Sequence, residues 1–235
     1  MRLPTASGQA ARTRSSGEIA PFENESFETS LLARSMGGWK GSLYHASMLV
    51  LASQSPRRRE ILSTAGIDFV VRPPAVPEEA VGGEDPVSHV RRLAREKAEA
   101  VPAGQGEIVL GADTVVVIDG RILGKPADAE DAARMLRLLS GREHEVITGI
   151  CLRTSGRLIV DAASTRVSFA PLTDAEISAY VASGEPMDKA GAYGIQGLAS
   201  KFIDRIEGCY FNVMGLPAAL VYCRLKELEA PATEL

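Results

Sequence analysis

The chain is poor in cysteine: Cys151, Cys209 and Cys223 are the three present in 235 residues, and no two sit at metal-ligand or redox spacing. That excludes a disulfide-stapled scaffold and a paired-cysteine metal centre, and an odd count of separated thiols fits reduced chemistry in a cytoplasm. Histidine is as sparse: His45, His89 and His144 are scattered, which argues against a histidine-based zinc site. No apolar run approaches the ~20 residues of a membrane span, so no membrane partner is expected. The formal net charge of −4 gives no overall basic character with which to grip a nucleic-acid duplex. A small anionic ligand stays open, because a local basic cluster decides that. The N-terminal stretch has no apolar signal-peptide core, and Glu18, Glu23, Glu25 and Glu28 do not suit a transit peptide. No internal repeat and no linker interrupts residues 48–235.

What is there is an ordinary globular composition, 45% hydrophobic and 24% charged, enough for a full core. Residues 1–47 stand apart, rich in Ser, Gly, Ala and Arg without sustained periodicity, and are predicted to be disordered. Met48 directly precedes the first convincing strand, so a native start at Met48 is the expectation. From there strands and helices alternate. Met48–Leu51 is an apolar run suited to a covered strand. A helix follows from Pro56 to Ala65, ended by Gly66. Phe69–Val71 and Ile108–Leu110 read as strands, the second ending at Gly111. Pro86–Ala100 carries Val87, Val90, Leu93, Ala94 and Ala98 at helical spacing. Val115–Ile118 and Arg121–Leu123 flank Asp119-Gly120, a type I′ hairpin signal. Asp128–Leu139 is a helix, and Val146–Arg153 and Leu158–Phe169 are long strands turned at Thr154-Ser155-Gly156. Thr173 caps a helix over Asp174–Ala182, with Glu176 completing a capping box. Phe202–Ile206 is a strand, and Asn212–Leu228 is a closing helix broken by Gly215 and Pro217. The pattern predicts an α/β domain with a mixed sheet over residues 48–235.

Six segments carry candidate chemistry. In Ser53-Gln-Ser-Pro-Arg-Arg-Arg, Ser55 suits an N-cap and Pro56 the first helical position, which puts Arg57, Arg58 and Arg59 in a first helical turn. Cations there oppose the helix dipole, a cost that a bound polyphosphate would offset; the plainer reading is a solvated basic cluster. Gly111-Ala-Asp113-Thr114 follows a buried strand, so Asp113 could ligate a hard cation, orient water, or merely cap a turn. Pro77-Glu78-Glu79 supplies a second acidic point or a solvated loop. Lys125, between Gly124 and Pro126, is restrained enough for a phosphate contact, whereas Lys97 on a helix reads as solvated. Asp188-Lys189-Ala-Gly-Ala-Tyr-Gly-Ile-Gln196-Gly packs glycines, a lysine and a base-edge-compatible glutamine into one loop. It is either a backbone approach to a ligand or a mobile glycine loop with Tyr193 packed inward.

Together these residues resemble the Maf proteins. The motifs are Ser53-Gln-Ser-Pro-Arg-Arg, Gly111-Ala-Asp-Thr, Gly124-Lys-Pro, Leu139-Ser-Gly-Arg, Glu185-Pro-Met-Asp-Lys-Ala-Gly-Ala-Tyr-Gly-Ile-Gln-Gly and Val213-Met-Gly-Leu-Pro, in that order from Met48 to about Leu228. The resemblance implies hydrolysis of a nucleoside triphosphate to the monophosphate and pyrophosphate with a divalent cation, Mg²⁺, Mn²⁺ or Co²⁺. It implies a mixed twisted α/β sheet around a deep cleft, similar to inosine triphosphatases, and a homodimer. It makes Asp113 the proton acceptor and gives phosphate or metal roles to Ser53, Arg58, Glu78, Lys97, Lys125 and Lys189, with Glu78 and Asp113 on the metal. Arg57, Thr114 and Gln196 match the dTTP- and UTP-preferring branch. The 7-methyl-GTP-preferring branch has Trp, Gln and Glu there, suited to stacking on and neutralising a cationic purine. The family's link to septum formation keeps a non-enzymatic regulator of division as the alternative, and a nucleotidyl transferase would use similar groups with a second substrate.

Overall fold

The first strand shows how the fold is assembled. β1 (Met48–Ala52) is buried from its second residue onward, because it is covered on both faces. The computed structural model describes residues 47–77 and 82–229, all within the unit Tyr44–Leu235. The expected disorder of the N-terminal segment, apart from residue 47, and the placement of Glu78 fall outside these residues. The sheet has seven strands in the order β2-β1-β3-β5-β6-β7, with β4 paired to β3. Here β2 is Phe69–Val71, β3 Glu107–Ile118, β4 Arg121–Leu123, β5 Glu143–Arg153, β6 Leu158–Phe169 and β7 Ile203–Glu207. β1 pairs parallel with β2 and β3, and the remaining pairings are antiparallel. The mixed α/β sheet expected from the sequence is the fold.

One face of the sheet is covered by α2 (Pro86–Glu99), whose start is fixed by Asp85 accepting from the backbone N–H groups of Val87 and Ser88. Its buried stripe is His89, Val90, Leu93, Ala94, Lys97 and Ala98, the spacing of one helical face. The helix lies very close to the sheet. A Cβ on Gly111 would stand 2.1 Å from the Ala94 carbonyl oxygen, and one on Gly149 2.3 Å from that of Val90. The opposite face carries α1 (Pro56–Thr64), α3 (Ala129–Leu139), α4 (Asp174–Ala182), α5 (Tyr210–Met214) and α6 (Ala218–Glu229). α1 is held by burying Ile61 and Leu62 among Leu49, Leu51, Leu110 and Leu216. Each buried side chain of this kind contributes about 1.5–3 kcal/mol. That exceeds the ~0.3–1 kcal/mol by which each cation in the first turn opposes the dipole.

Several boundaries differ from the sequence reading, and one matters for function. β3 does not end at Gly111; it runs unbroken to Ile118. The glycine marks the close approach of α2, not a strand end. Residues 107–111 of β3 pair with β1, residues 116–118 pair with β4, and residues 109–117 use the other edge for β5. Ala112, Asp113, Thr114 and Val115 are therefore left without a strand neighbour on the β1/β4 edge, and a cleft opens there. The hairpin turn is as expected, with Asp119 and Gly120 both at positive φ, 51° and 70°. The capping box at Thr173 and Glu176 is also present. The closing helix is two helices, with Gly215 in the left-handed region at φ 114° between them. Among the described residues no helix is long and apolar enough to cross a membrane.

Candidate active site

Side chains alternate across a strand, so Asp113 and Thr114 leave β3 on opposite faces of the sheet. Both still reach the same cavity, of about 830 Å³, because the gap in the ladder opens the sheet at their level. Such a volume is suited to a nucleotide-sized ligand.

Asp113 faces α2. The Lys97 ammonium donates to Asp113 Oδ1 at 2.7 Å, and both side chains are buried, 7% and 9% exposed. Lys97 is thus an inward-facing group, not a solvated one. It shares its helix stripe with His89 and Leu93, which also line the cavity. His89 is oriented from behind by Glu84, whose Oε2 lies 3.2 Å from His89 Nδ1, while Glu84 also accepts from Arg92.

Thr114 faces α1 and α5. Its hydroxyl accepts from Arg58 Nη2 at 3.2 Å and lies 3.0 Å from Thr148 Oγ1 and 3.3 Å from the Gly215 carbonyl oxygen. Arg58 is buried. Its Nε donates to Gly215 O at 2.8 Å and its Nη1 to Ser53 Oγ at 3.1 Å. Ser53 Oγ also accepts from the backbone N–H of Ser55. Ser55 occupies the N-cap position with extended backbone, but its own side chain makes no cap hydrogen bond. The serine that organises this turn is Ser53. The three consecutive arginines part company: Arg58 turns into the floor, Arg57 reaches across to residue 188, and Arg59 is exposed.

The loop after α4 is a series of 3-10 turns, Glu185–Asp188, Ala190–Ala192 and Leu198–Phe202. It is internally braced. Glu185 accepts from the Tyr180 hydroxyl at 2.9 Å and the Leu198 N–H at 3.0 Å. Lys189 Nζ donates to the Glu185 carbonyl at 2.5 Å and to Asp188 Oδ1 at 2.6 Å. Tyr193 is packed inward with its hydroxyl 2.8 Å from His144 Nε2. The loop glycines make room for neighbouring side chains. A Cβ on Gly194 would meet Lys189 Cε at 2.7 Å, and one on Gly197 would meet Glu185 Oε1 at 2.2 Å. Across the cleft mouth Arg57 Nη1 donates to Asp188 Oδ2 at 2.9 Å, and Nη2 to the Asp188 carbonyl at 3.4 Å. Burial works to raise the Asp188 carboxyl, but hydrogen bonds and charge from Lys189 and Arg57 outweigh it and hold the group below the usual carboxylate range.

Ser53, Arg57, Arg58, Lys97, Asp113, Thr114, Lys125, Lys189 and Gln196 all line this one cavity. Lys125 and Gln196 are exposed at its rim. Four side chains escaped the sequence reading of the site: His89, Thr148, Asp188 and Asn212. Thr148 and Asn212 left a faint signal, polar residues within apolar surroundings in Val146-Ile-Thr and Phe211-Asn-Val. His89 left none that separates it from surface residues, and Asp188 lies inside the Glu185–Gly197 motif with no role of its own assigned.

The Maf-like protein family model matches residues 48–228. A dTTP/UTP pyrophosphatase of Koribacter versatilis is 55% identical over 175 residues, covering 74% of this chain and 91% of that one. A dTTP/UTP pyrophosphatase of Geobacter metallireducens is 52% identical over 187 residues, 78% of this chain and 97% of its own. Among solved structures, a nucleoside-triphosphatase / dITP/XTP pyrophosphatase from Mycobacterium abscessus overlaps with a TM-score of 0.40 at 18% identity, covering 80% of this chain and 100% of that one. The family match takes in both walls of the cleft, from Ser53 to Gly215, and this chain belongs to the Maf-like protein family.

Proposed function

We propose that the protein hydrolyses nucleoside triphosphates, dTTP and UTP foremost, to the monophosphate and pyrophosphate. The observation that carries this reading is the buried Lys97–Asp113 pair at a gap in the sheet, facing a cavity whose walls also hold Arg57, Arg58, Lys125 and Lys189. A carboxylate held by one oxygen can use the other on water, and clustered cations suit the charge of a triphosphate and of departing pyrophosphate. Relatives more than half identical bear the name dTTP/UTP pyrophosphatase, and Arg57, Thr114 and Gln196 agree with that branch.

In the reaction Asp113 takes a proton from water as the water oxygen bonds to the α-phosphorus. The bridging bond from the α-phosphorus breaks, and its electron pair leaves with pyrophosphate. Lys97 stays on Oδ1 and keeps the carboxylate oriented. Arg57, Arg58, Ser53, Lys125 and Lys189 hold phosphate oxygens, while Arg57, Thr114 and Gln196 set the base preference.

A divalent cation, Mg²⁺, Mn²⁺ or Co²⁺, is part of this proposal. Among the described residues no group of three or more His, Cys, Asp or Glu gathers to hold one. The donor set present, one buried carboxylate in a polyphosphate-sized cleft, fits an ion that takes one or two carboxylates and completes its shell with phosphate oxygens. Asp113 would supply one of these, with Glu78 as the second. Such an ion, when bound, neutralises charge on the phosphates.

The same proposal places the enzyme in a cytoplasm as a homodimer without nucleic-acid or membrane partner; the low, odd count of well-separated cysteines supports the reducing compartment. The deciding experiment is pyrophosphate release from a panel of triphosphates, with and without Mg²⁺. Metal-dependent release from dTTP and UTP ahead of purine triphosphates is the expected result. No release from any triphosphate would leave a binding protein in its place.

A further inference from the structure

Beneath the cleft floor two buried polar residues, Thr148 and Asn212, play no part in the reaction itself. Thr148 on β5 is fully buried and stands opposite Thr114 in the sheet register. Asn212 on α5 is fully buried as well. Thr148 Oγ1 lies 3.1 Å from the Asn212 main-chain carbonyl oxygen and 3.0 Å from Thr114 Oγ1, where either hydroxyl can be the donor. Thr114 Oγ1 also lies 3.3 Å from Gly215 O. Thr114 Oγ1 in turn accepts from Arg58 Nη2.

The line therefore runs from the Arg58 guanidinium through Thr114 and Thr148 to the Asn212 main-chain carbonyl. In a buried setting each of these hydrogen bonds counts for more than it would in water. The far end is anchored. Asn212 Nδ2 donates to Val146 O at 2.9 Å and to Thr165 Oγ1 at 3.0 Å, which ties α5 to β5 and β6. The same helix ends at Gly215, whose carbonyl holds Arg58 Nε. Asn212 thus fixes both the terminus of the line and the backbone oxygen that grips the arginine from the side.

We infer that Thr148 is a positioning residue for polyphosphate binding, acting through the Thr114 hydroxyl to set the Arg58 guanidinium at the cleft floor. This rests on the pyrophosphatase reading only for the identity of the anion. The test is carried out on the full chain with pyrophosphate and Mg²⁺ as the probe, by titration calorimetry, which does not require turnover. Thr148→Val keeps the shape and removes the hydroxyl; Thr148→Ser keeps the hydroxyl. Losing one buried hydrogen bond from the line is expected to weaken pyrophosphate binding about five- to tenfold in Thr148→Val. The KM for dTTP should rise by a similar factor, and Thr148→Ser should restore affinity. Should Thr148→Val fail to fold, Thr148→Ala carries the same comparison.

Three outcomes overturn the inference: Thr148→Val binding pyrophosphate as well as wild type, Thr148→Ser losing as much as Thr148→Val, or a wild-type protein that does not bind pyrophosphate. A wild type that binds pyrophosphate but releases none from any triphosphate defeats the proposed reaction while leaving this inference standing on the titration.

Discussion

The Lys97 ammonium sits 2.7 Å from Asp113 Oδ1, one group from a helix and the other from the strand beneath it. Their meeting depends on two glycines that neither residue touches in sequence. Gly111 and Gly149 let α2 lie against the sheet, and that distance brings Lys97 over β3.

Asp113→Asn keeps the shape and removes the base, so pyrophosphate release from dTTP should fall on the order of a hundredfold or more, with substrate binding retained. Lys97→Met removes the cation and leaves the buried carboxylate without this partner. We expect it to lower stability by about 3–5 kcal/mol as well as activity. Steady-state turnover and urea unfolding measure the two. Near wild-type turnover in Asp113→Asn would refute the assignment.

Gly111→Ala tests the helix contact. Its Cβ would fall 2.1 Å from a backbone oxygen, which cannot rotate away, so α2 has to lift. The expected loss is about 3 kcal/mol or more, at the upper end of the overpacking range, with turnover falling because Lys97 moves with the helix. A denaturation midpoint equal to wild type would show that the helix has slack that the contact distances deny.

Asp188→Asn separates positioning from stability. Asp188 is 60% exposed in its pair with Arg57, so its contribution to stability is under about 1 kcal/mol. It nonetheless holds Arg57 with side chain and backbone together, and Lys189 with the same carboxylate. The ratio of kcat/KM for dTTP over dGTP is expected to fall several-fold while the melting temperature barely changes. An unchanged ratio would remove Asp188 from the site.

His144 gives the protein an acid limit. Burial pushes its imidazole down to about 4 from the ordinary 6.5. The native state therefore keeps it neutral where the unfolded chain takes up a proton, and between those pH values the unfolded state binds more protons. Stability is present in full above about pH 6.5 and is lost as pH falls toward 4, by about 3 kcal/mol at most. His144→Gln should flatten that part of the curve in urea unfolding followed across pH. A slope that persists in the variant would assign the acid sensitivity to other groups.

Local chemistry made much of the fold legible. Asp119-Gly120 dictated its hairpin because a two-residue type I′ turn needs positive φ at both positions. Thr173 and Glu176 marked a helix start through reciprocal bonds three residues apart. The end of β3 was misread because glycine breaks a strand pattern whether it serves a turn or an intimate helix contact, and only the packed helix tells them apart. Gly194 and Gly197 are crowded by Lys189 and Glu185, contacts that residue types in the loop do not announce. Thr148 and Asn212 stayed hidden because a buried polar residue is informative only once its partners are known.

By itself the sequence determined the elements, the family motifs and the cationic, carboxylate-bearing character of the cleft, because capping, turn chemistry and side-chain charge are local properties of neighbouring residues. Tertiary structure alone decided which arginine faces inward, that Lys97 meets Asp113, and that Asp113 and Thr114 serve opposite faces of one sheet. Those outcomes depend on contacts between segments far apart in the chain, where a few tenths of an ångström of backbone approach decide which side chains can meet.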